Sequence, residues 1–291
     1  MTFPARRTCA ALLTATALVA TACSSAQSPD GDASGMTIVT STSVWGDVAR
    51  AVVDDPAVTI TPIITNDATD PHHFEPTAAD MARVSKADVV VVGGGGYDAW
   101  LYENLDNPDI IHALPLTPHH HGDKPDGSEA TNEHIWYDAD ALRDVAHGVA
   151  GAVEKHNPDA TVTADALDAR LDAATAKLKA MPTARIAQTE PIADYLINKT
   201  PMKEVTPTGY RRATLNETDP AAADLAAFLE LINSGGLDIL VYNPQTATDM
   251  TKRIRAAAEA KGVRIVEIPE TPPSTVPFPD FYGQVVDRLV G

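Results

Sequence analysis

The feature that most constrains the fold is an alternation of short apolar runs with helical patterns. Strand-type runs rich in Val and Ile occur at 36–42, 58–63 and 89–92, and helical patterns occur at 44–53 and 78–85. Apolar runs of this length are typical of strands that are buried on both faces of a parallel sheet. The alternation therefore predicts an α/β fold with right-handed crossovers.

The second half of the chain repeats this architecture. Strand-type runs at 185–188, 237–242 and 263–268 alternate with helical patterns at 192–197, 221–233, 249–261 and 281–290. An amphipathic pattern between the halves, at about 158–180, has apolar residues at three- and four-residue steps: Ala164, Leu167, Leu171, Ala174 and Leu178. We therefore predict an N-terminal lobe at 36–155, a connecting helix at 156–181 and a C-terminal lobe at 182–291.

The composition of the N-terminus is typical of an export signal. Arg6 and Arg7 precede an apolar stretch that ends at Ala22, and Cys23 follows. The A-T-A-C sequence resembles a lipoprotein signal, which implies removal of 1–22, lipidation of Cys23 and a flexible Ser- and Asp-rich tether at 23–35. We expect a lipid-anchored protein on the extracytoplasmic face of the cell membrane, and plain secretion is the alternative.

Composition excludes some partners. A formal net charge of −18 argues against a nucleic-acid partner, because binding phosphates requires clustered Lys and Arg. Cleavage before Cys23 would leave a single cysteine and no internal disulfide. No later stretch approaches the ~20 apolar residues of a membrane span, so the lipid is the expected membrane contact. We expect a monomer.

The loop D-P-H-H-F-E-P at 70–76 is a dense source of metal donors. Pro71 keeps the segment extended, so that one of the neighbouring residues His72 and His73 faces a given site. Histidine is the commonest protein ligand for transition metals. The alternative is a surface loop whose polar residues are simply solvated.

Three further segments carry donors near the ends of predicted elements. They are N-E-H-I-W-Y-D with His134, Q-T-E-P with Glu190, and I-P-E-T-P-P with Glu270. Each candidate donor falls just after a predicted strand, where parallel sheets bind ligands. Other interpretations remain open, because Glu190 could favour the positive end of the next helix and Glu270 could be an ordinary surface acid. Spacing alone cannot join these residues into one site.

Taken together, these motifs resemble the zinc/manganese solute-binding proteins of bacterial ABC importers. The resemblance covers about residue 36 to the end and rests on D-P-H-H-F-E-P-T, N-E-H-I-W-Y-D, T-E-P-I-A-D-Y-L and E-I-P-E-T-P-P. It implies two Rossmann-like α/β lobes joined by one long rigid helix. It also implies a metal site in the interlobe cleft, with His72, His134, Glu190 and Glu270 as ligands.

The implied function is capture of a divalent ion and its delivery to a membrane permease. Two imidazoles, with the histidine tract His119–His121, favour Zn²⁺, whereas two carboxylates leave Mn²⁺ possible. The alternatives are a secreted zinc-dependent hydrolase, which would need an open coordination position, and a surface adhesion lipoprotein. Glycines 93–96 lack the spacing of a nucleotide-binding loop and instead indicate a close backbone approach near the site.

Overall fold

The computed structural model describes residues 35–65, 74–103, 105, 109–118 and 130–291. Cys23, His72, His73 and the tract His119–His121, together with the predicted signal and most of the tether, lie outside these residues. The described residues belong to one compact unit. Within the described residues, each helix is too short or too polar to cross a bilayer.

Two four-stranded parallel sheets organise this unit. The first has the order β2-β1-β3-β4 and the second the order β6-β5-β7-β8. The strands are β1 Met36–Thr42, β2 Val58–Ile64, β3 Val89–Val92, β4 Ile110–His112, β5 Arg185–Gln188, β6 Lys203–Glu204, β7 Ile239–Tyr242 and β8 Arg264–Glu267. The predicted α/β fold with two parallel-sheet lobes is confirmed.

Along the chain the helices alternate with these strands, two lie between the two sheets, and the last follows β8. They are α1 Ser43–Val52, α2 Ala78–Val84, α3 Ala99–Tyr102, α4 Ala139–His156, α5 Asp165–Lys179, α6 Asp194–Ile197, α7 Thr208–Leu215, α8 Ala222–Asn233, α9 Asp249–Ala260 and α10 Phe278–Val290. Single 3₁₀ turns occur at Ile135–Tyr137 and Pro191–Ala193. The sequence patterns predicted none of β4, α3, β6 and α7, each of which is eight residues or shorter.

Each sheet is covered on both faces, and one core is shared. Ile38, Val89 and Val91 face a central cluster, which also contains Ile186 and Val241 of the second sheet. The alternate residues of the strands face a separate cluster on the outer side of each lobe. Helices α1, α4, α5 and α10 contribute most of the other central residues, so the two lobes are built around one apolar core.

The connecting helix is shorter than predicted. A helix at 156–181 was expected, but α4 ends at His156 and α5 covers only 15 residues, which is about 23 Å. Residues 161–163 instead pair with the end of α1: Asp54 N–H donates to the Thr161 carbonyl and Thr163 N–H to the Val52 carbonyl, each at 2.9 Å. This pairing takes backbone groups that a helix would need. The predicted apolar stripe from Ala164 to Leu178 is nevertheless buried.

Candidate metal centre

Glu190 and Glu270 lie beyond the carboxyl ends of neighbouring strands. Glu190 follows β5 after one residue, and Glu270 follows β8 after two. Glu190 immediately precedes Pro191, which starts a 3₁₀ turn and fixes the backbone direction there. Because the strands β5, β7 and β8 are parallel neighbours, their following loops meet at one edge of the sheet, as predicted.

The setting of His134 differs from the prediction. It was expected just after a strand, on an extended segment. It instead lies far beyond β4, directly before the 3₁₀ turn Ile135–Tyr137, which leads into α4. Its side chain is almost fully buried, with 5% of the residue exposed. Its ring packs edge-to-face with that of Trp136, with ring centroids 5.3 Å apart. A short turn was overlooked because three residues carry too little periodicity to be recognised.

These three residues converge. One donor atom each from His134, Glu190 and Glu270 lies within 4.8 Å of the other two. His134 Nε2 is 3.2 Å from Glu190 Oε1. Glu270 is 2% exposed, which contradicts the alternative that it is an ordinary surface acid. The arrangement supplies one nitrogen and two carboxylate donors, which suits a borderline divalent ion. The fourth candidate, His72, lies outside the described residues.

Asn243 and two hydroxyl groups hold the carboxylates. The Asn243 side-chain amide donates to Glu190 Oε2 at 2.7 Å and to Glu270 Oε1 at 3.1 Å. Thr246 Oγ1 donates to Glu190 Oε2 at 2.6 Å, and the Tyr97 hydroxyl donates to Glu270 Oε2 at 3.1 Å. These four hydrogen bonds come from uncharged donors, so they orient the carboxylates without neutralising their charge.

Tyr97 is kept in its protonated form. Its burial, and then the nearby negative charge of Glu270, raise the pKa of the phenol well above its usual range. The glycines before Tyr97 allow the backbone to pass close to Leu114, which places Tyr97 beside Glu270. Gly94 has a φ of 77°, and a Cβ there would lie 2.1 Å from the Leu114 carbonyl oxygen. The predicted close backbone approach at 93–96 is therefore present.

A second set of contacts fixes the imidazole of His134. Its Nδ1 lies 2.8 Å from Asn132 Oδ1, so the ring donates through Nδ1 and presents Nε2 to the carboxylates. The Asn132 amide donates in turn to the Pro191 carbonyl at 2.6 Å and to Asp194 Oδ2 at 2.8 Å. Arg211 contacts both oxygens of Asp194, at 2.9 and 2.6 Å. His134 is thus tied to the C-terminal lobe.

Sequence reasoning did not single out Asn132, Asn243, Thr246, Asp194 or Arg211. Asn132 was within a recognised motif, two residues before His134, and that spacing was the available signal. Asn243 directly follows β7, the strand that lies between β5 and β8 in the sheet. Its position could have been found from the rule that ligands bind beyond the strand ends, once the strand order was known.

The sequence model of the family described as "Zinc-uptake complex component A periplasmic" (ZnuA) matches residues 38–290. The chain belongs to this family. The resemblance inferred from the motifs is therefore confirmed. Its members are solute-binding components of metal importers and not enzymes, so the hydrolase alternative is set aside.

Two curated proteins of this kind are similar over part of the chain. The manganese-binding lipoprotein MntA of Halalkalibacterium halodurans is 30% identical over 148 residues, 49% of this chain and 47% of that protein. The iron-binding protein YfeA of Yersinia pestis is 25% identical over 145 residues, 48% of this chain and 46% of that protein. The chain spans about half the length of the curated relatives it matches.

Solved structures share the fold over a longer stretch. The laminin-binding protein Lmb of Streptococcus agalactiae, described as having adhesin and metal transporting activity, matches with a TM-score of 0.68. It is 18% identical, and the match covers 88% of this chain and 98% of that one. The likeness shows that both chains adopt the same two-lobe architecture.

Proposed function

We propose that this protein captures a divalent transition-metal ion outside the cytoplasm and delivers it to an ABC permease. The observation that carries the proposal is the convergence of His134, Glu190 and Glu270 within 4.8 Å at the carboxyl ends of the strands. These donors, two buried and one partly buried, come from segments far apart in the sequence, and hydrogen bonds hold them close together. Family membership supports transport as the purpose of such a site.

The proposed ligand set is His134, Glu190 and Glu270, with His72 as the fourth ligand. His72 carries over from the D-P-H-H-F-E-P motif alone. Four ligands of this kind would complete a tetrahedral zinc site. The ion is the cargo of the receptor, so the site must also release it, and release requires movement of a ligand-bearing loop or lobe.

Zn²⁺ is the proposed cargo, narrowly ahead of Mn²⁺. The buried imidazole favours Zn²⁺, and by the Irving–Williams order Zn²⁺ binds more tightly at a given site of this type. The carboxylates and the manganese-binding relative keep Mn²⁺ as the second candidate. Competitive titration with both ions decides between them. Tight stoichiometric binding of Mn²⁺ that Zn²⁺ fails to displace would contradict the choice of zinc.

The proposed location is the outer face of the cell membrane, through lipid on Cys23 after removal of residues 1–22. The lipoprotein relative supports this location. Mass spectrometry of the mature chain tests it, because a diacylated Cys23 at the N-terminus and an unmodified secreted chain differ by the mass of the lipid. Adhesion, which is stated of the streptococcal protein, would be an additional role and does not compete with metal capture.

The decisive test of the site is the metal content of purified protein after dialysis against Zn²⁺. We expect one ion per wild-type chain and far less in Glu270→Gln and His134→Ala, because each substitution removes a ligand. Glu154→Gln and His156→Ala are matched controls, since both side chains lie exposed on α4. If Glu270→Gln retained the wild-type metal content, Glu270 would not be a metal ligand.

A further inference from the structure

The loop after β7 places two hydrogen-bond donors on one oxygen of Glu190. The Asn243 amide donates to Glu190 Oε2 at 2.7 Å, and Thr246 Oγ1 donates to the same oxygen at 2.6 Å. Because a carboxylate oxygen has two lone pairs, these two bonds use the acceptor capacity of Oε2. The other oxygen, Oε1, lies 3.2 Å from Nε2 of His134. Glu190 therefore presents Oε1, and not Oε2, to the neighbouring donor of the candidate metal centre.

The direction of both hydrogen bonds is fixed by their surroundings. Asn243 Oδ1 accepts from the backbone N–H of Gln245 at 2.9 Å, so it is the amide nitrogen that faces the carboxylates. Asn243 is 1% exposed, and its own backbone N–H donates to Thr189 Oγ1 at 3.3 Å. The Thr246 hydroxyl must donate to its partner, because an ionised carboxylate can only accept.

The same loop is fastened to the loop after β8. Gln245 Oε1 accepts from the backbone N–H groups of Glu270 and Thr271 at 2.7 and 3.1 Å, and Gln245 Nε2 donates to Thr271 Oγ1 at 2.8 Å. Two residues after Thr246, Thr248 begins α9 with a capping box. The donors to Glu190 are thus held from both sides, which is how a binding site is organised before its ligand arrives.

Glu270 has its donors distributed differently. The Asn243 amide donates to Glu270 Oε1 and the Tyr97 hydroxyl donates to Glu270 Oε2, each at 3.1 Å. These two bonds are therefore shared between the oxygens, and both are longer than the two bonds to Glu190 Oε2. The concentration of two short hydrogen bonds on a single oxygen distinguishes Glu190 from Glu270.

We propose that Asn243 and Thr246 make Glu190 a ligand through one oxygen only and thereby favour Zn²⁺ over Mn²⁺. Four donors satisfy Zn²⁺ in a tetrahedral site, whereas Mn²⁺ takes about six donors that are mainly oxygen. A carboxylate that binds through both oxygens supplies an additional donor, and the hydrogen bonds to Oε2 oppose this. The inference rests on the proposed metal capture and assigns Asn243 and Thr246 as positioning residues that determine its specificity.

Thr246→Val and Asn243→Ala test the proposal through the ratio of Mn²⁺ affinity to Zn²⁺ affinity. Competition with a chelator of known affinity measures both ions. Loss of a hydrogen-bond partner of a metal ligand lowers affinity by about tenfold or more, and we expect this loss for Zn²⁺. Mn²⁺ gains access to Oε2, which offsets the loss, so the ratio should rise by about tenfold. A role limited to supporting the fold would weaken both ions alike and leave the ratio unchanged.

Two control variants accompany this measurement. Thr246→Ser keeps the hydroxyl and should retain the wild-type ratio. Thr59→Val removes the hydroxyl of an exposed residue in β2 and should also retain it. Urea unfolding of each metal-free variant reports whether the fold is preserved. An unchanged ratio in both Thr246→Val and Asn243→Ala would contradict the proposal.

A crystal structure of the zinc-loaded wild type provides an independent readout. We expect Glu190 to contact the ion through Oε1 alone, while Oε2 keeps its hydrogen bonds to Asn243 and Thr246. Ligation through both oxygens of Glu190 would overturn the proposal. Failure of the wild type to bind either ion would instead contradict the proposed metal capture, so the two failures are distinguishable.

Discussion

The imidazole of His134 is oriented by a relay of side chains that do not face the proposed ion. Asn132 accepts from Nδ1, Asp194 accepts from Asn132, and Arg211 contacts Asp194. A neutral imidazole has one N–H and one lone pair, so fixing the proton on Nδ1 leaves the Nε2 lone pair for the ion. The relay therefore selects the tautomer that can ligate through Nε2.

Asn132→Ala is expected to weaken metal binding by about 10- to 100-fold, the usual effect of removing a partner of a metal-bound histidine. The measurement is competition for zinc with a chelator of known affinity. Ring ¹⁵N shifts of His134 in the metal-free protein should show that the Nδ1–H tautomer is no longer dominant. Asn233→Ala, at the exposed end of α8, is the control. Unchanged zinc affinity in Asn132→Ala would show that the relay does not position the ligand.

The sequence identified the proposed metal ligands more readily than the residues that orient them. His134, Glu190 and Glu270 were singled out because each stands in a motif that resembles the metal-binding family, and Glu190 and Glu270 also stand in proline-containing loops. Asn243 and Thr246 were missed because an Asn and a Thr after a strand are common in any loop. Their importance depends on the order β5-β7-β8 in the sheet, and that order comes from long-range pairing.

At the scale of elements, the two sheets share one hydrogen bond between an aspartate and a neighbouring strand that the sequence did not predict. Asp88 precedes β3 and accepts from the backbone N–H of Thr37 in β1 at 2.7 Å. Asp238 precedes β7 and accepts from the backbone N–H of Arg185 in β5 at 2.8 Å. Each aspartate therefore connects the two central strands of its own sheet. The two lobes therefore share their topology and this aspartate. They do not share a longer stretch of similar sequence that would have indicated the repeat.

Asp238→Asn tests the contribution of this connection. Hydrogen bonds from the Arg185 side chain and backbone lower the pKa of Asp238 to about 2, from an ordinary value of 3.8. The ionised form is thus favoured by folding, so its contribution is complete above the ordinary value and is lost as the pH falls through about 2. Because the side chain is 43% exposed, solvent screens the interaction, and we expect a loss of only about 0.5–1 kcal/mol at pH 7.

Urea unfolding at several pH values provides the measurement for Asp238→Asn. The difference in unfolding free energy between the wild type and the variant should shrink as the pH falls below 3.8 and approach zero near 2. Glu154→Gln controls for the general loss of one negative charge from an acidic protein. A difference that stays constant down to pH 2 would mean that the ionised Asp238–Arg185 contact does not stabilise the fold.

Helix α5 illustrates what periodicity could and could not predict. The three- and four-residue spacing identified its buried face, and Leu167, Leu171 and Leu178 are indeed buried. The start of the helix was predicted too early, because residues 161–163 pair with the end of α1. Periodicity reports which residues are buried together, whereas a competing backbone partner is a tertiary contact that local spacing does not contain.

Leu178→Ala should lower the free energy of unfolding by about 2–5 kcal/mol, because it leaves a cavity in a fully buried part of the central core. Leu116→Ala is the matched control, since Leu116 is 39% exposed, and it should change the free energy by less than about 0.5 kcal/mol. Urea unfolding of the metal-free protein measures both. A small effect at Leu178 would mean that α5 is not anchored in the shared core.

At the scale of the whole molecule, the lobes are held together by noncovalent contacts as well as by the chain that connects them. Phe278 N–H at the start of α10 donates to Asp47 of α1 at 2.9 Å, and α10 packs on both α1 and α5. The Tyr137 hydroxyl donates to the Pro269 carbonyl, one residue before Glu270, at 2.6 Å. Lys199 contacts Asp140 at the start of α4 at 2.7 Å. Separating the lobes would break these contacts and expose the central core.

The shared core predicts that the two sheets unfold together. Ile38 of the first sheet and Val241 of the second belong to one buried cluster, so neither lobe retains its central core once the other has unfolded. In calorimetry of the metal-free protein we expect a single transition whose calorimetric and van't Hoff enthalpies agree. Zinc at 100 times its dissociation constant should raise the unfolding free energy by about 2.7 kcal/mol and preserve the single transition. Glu270→Gln should lose the zinc-dependent increase. Two resolved transitions would show that the lobes fold independently, and any metal-driven motion would then be a hinge between separate bodies.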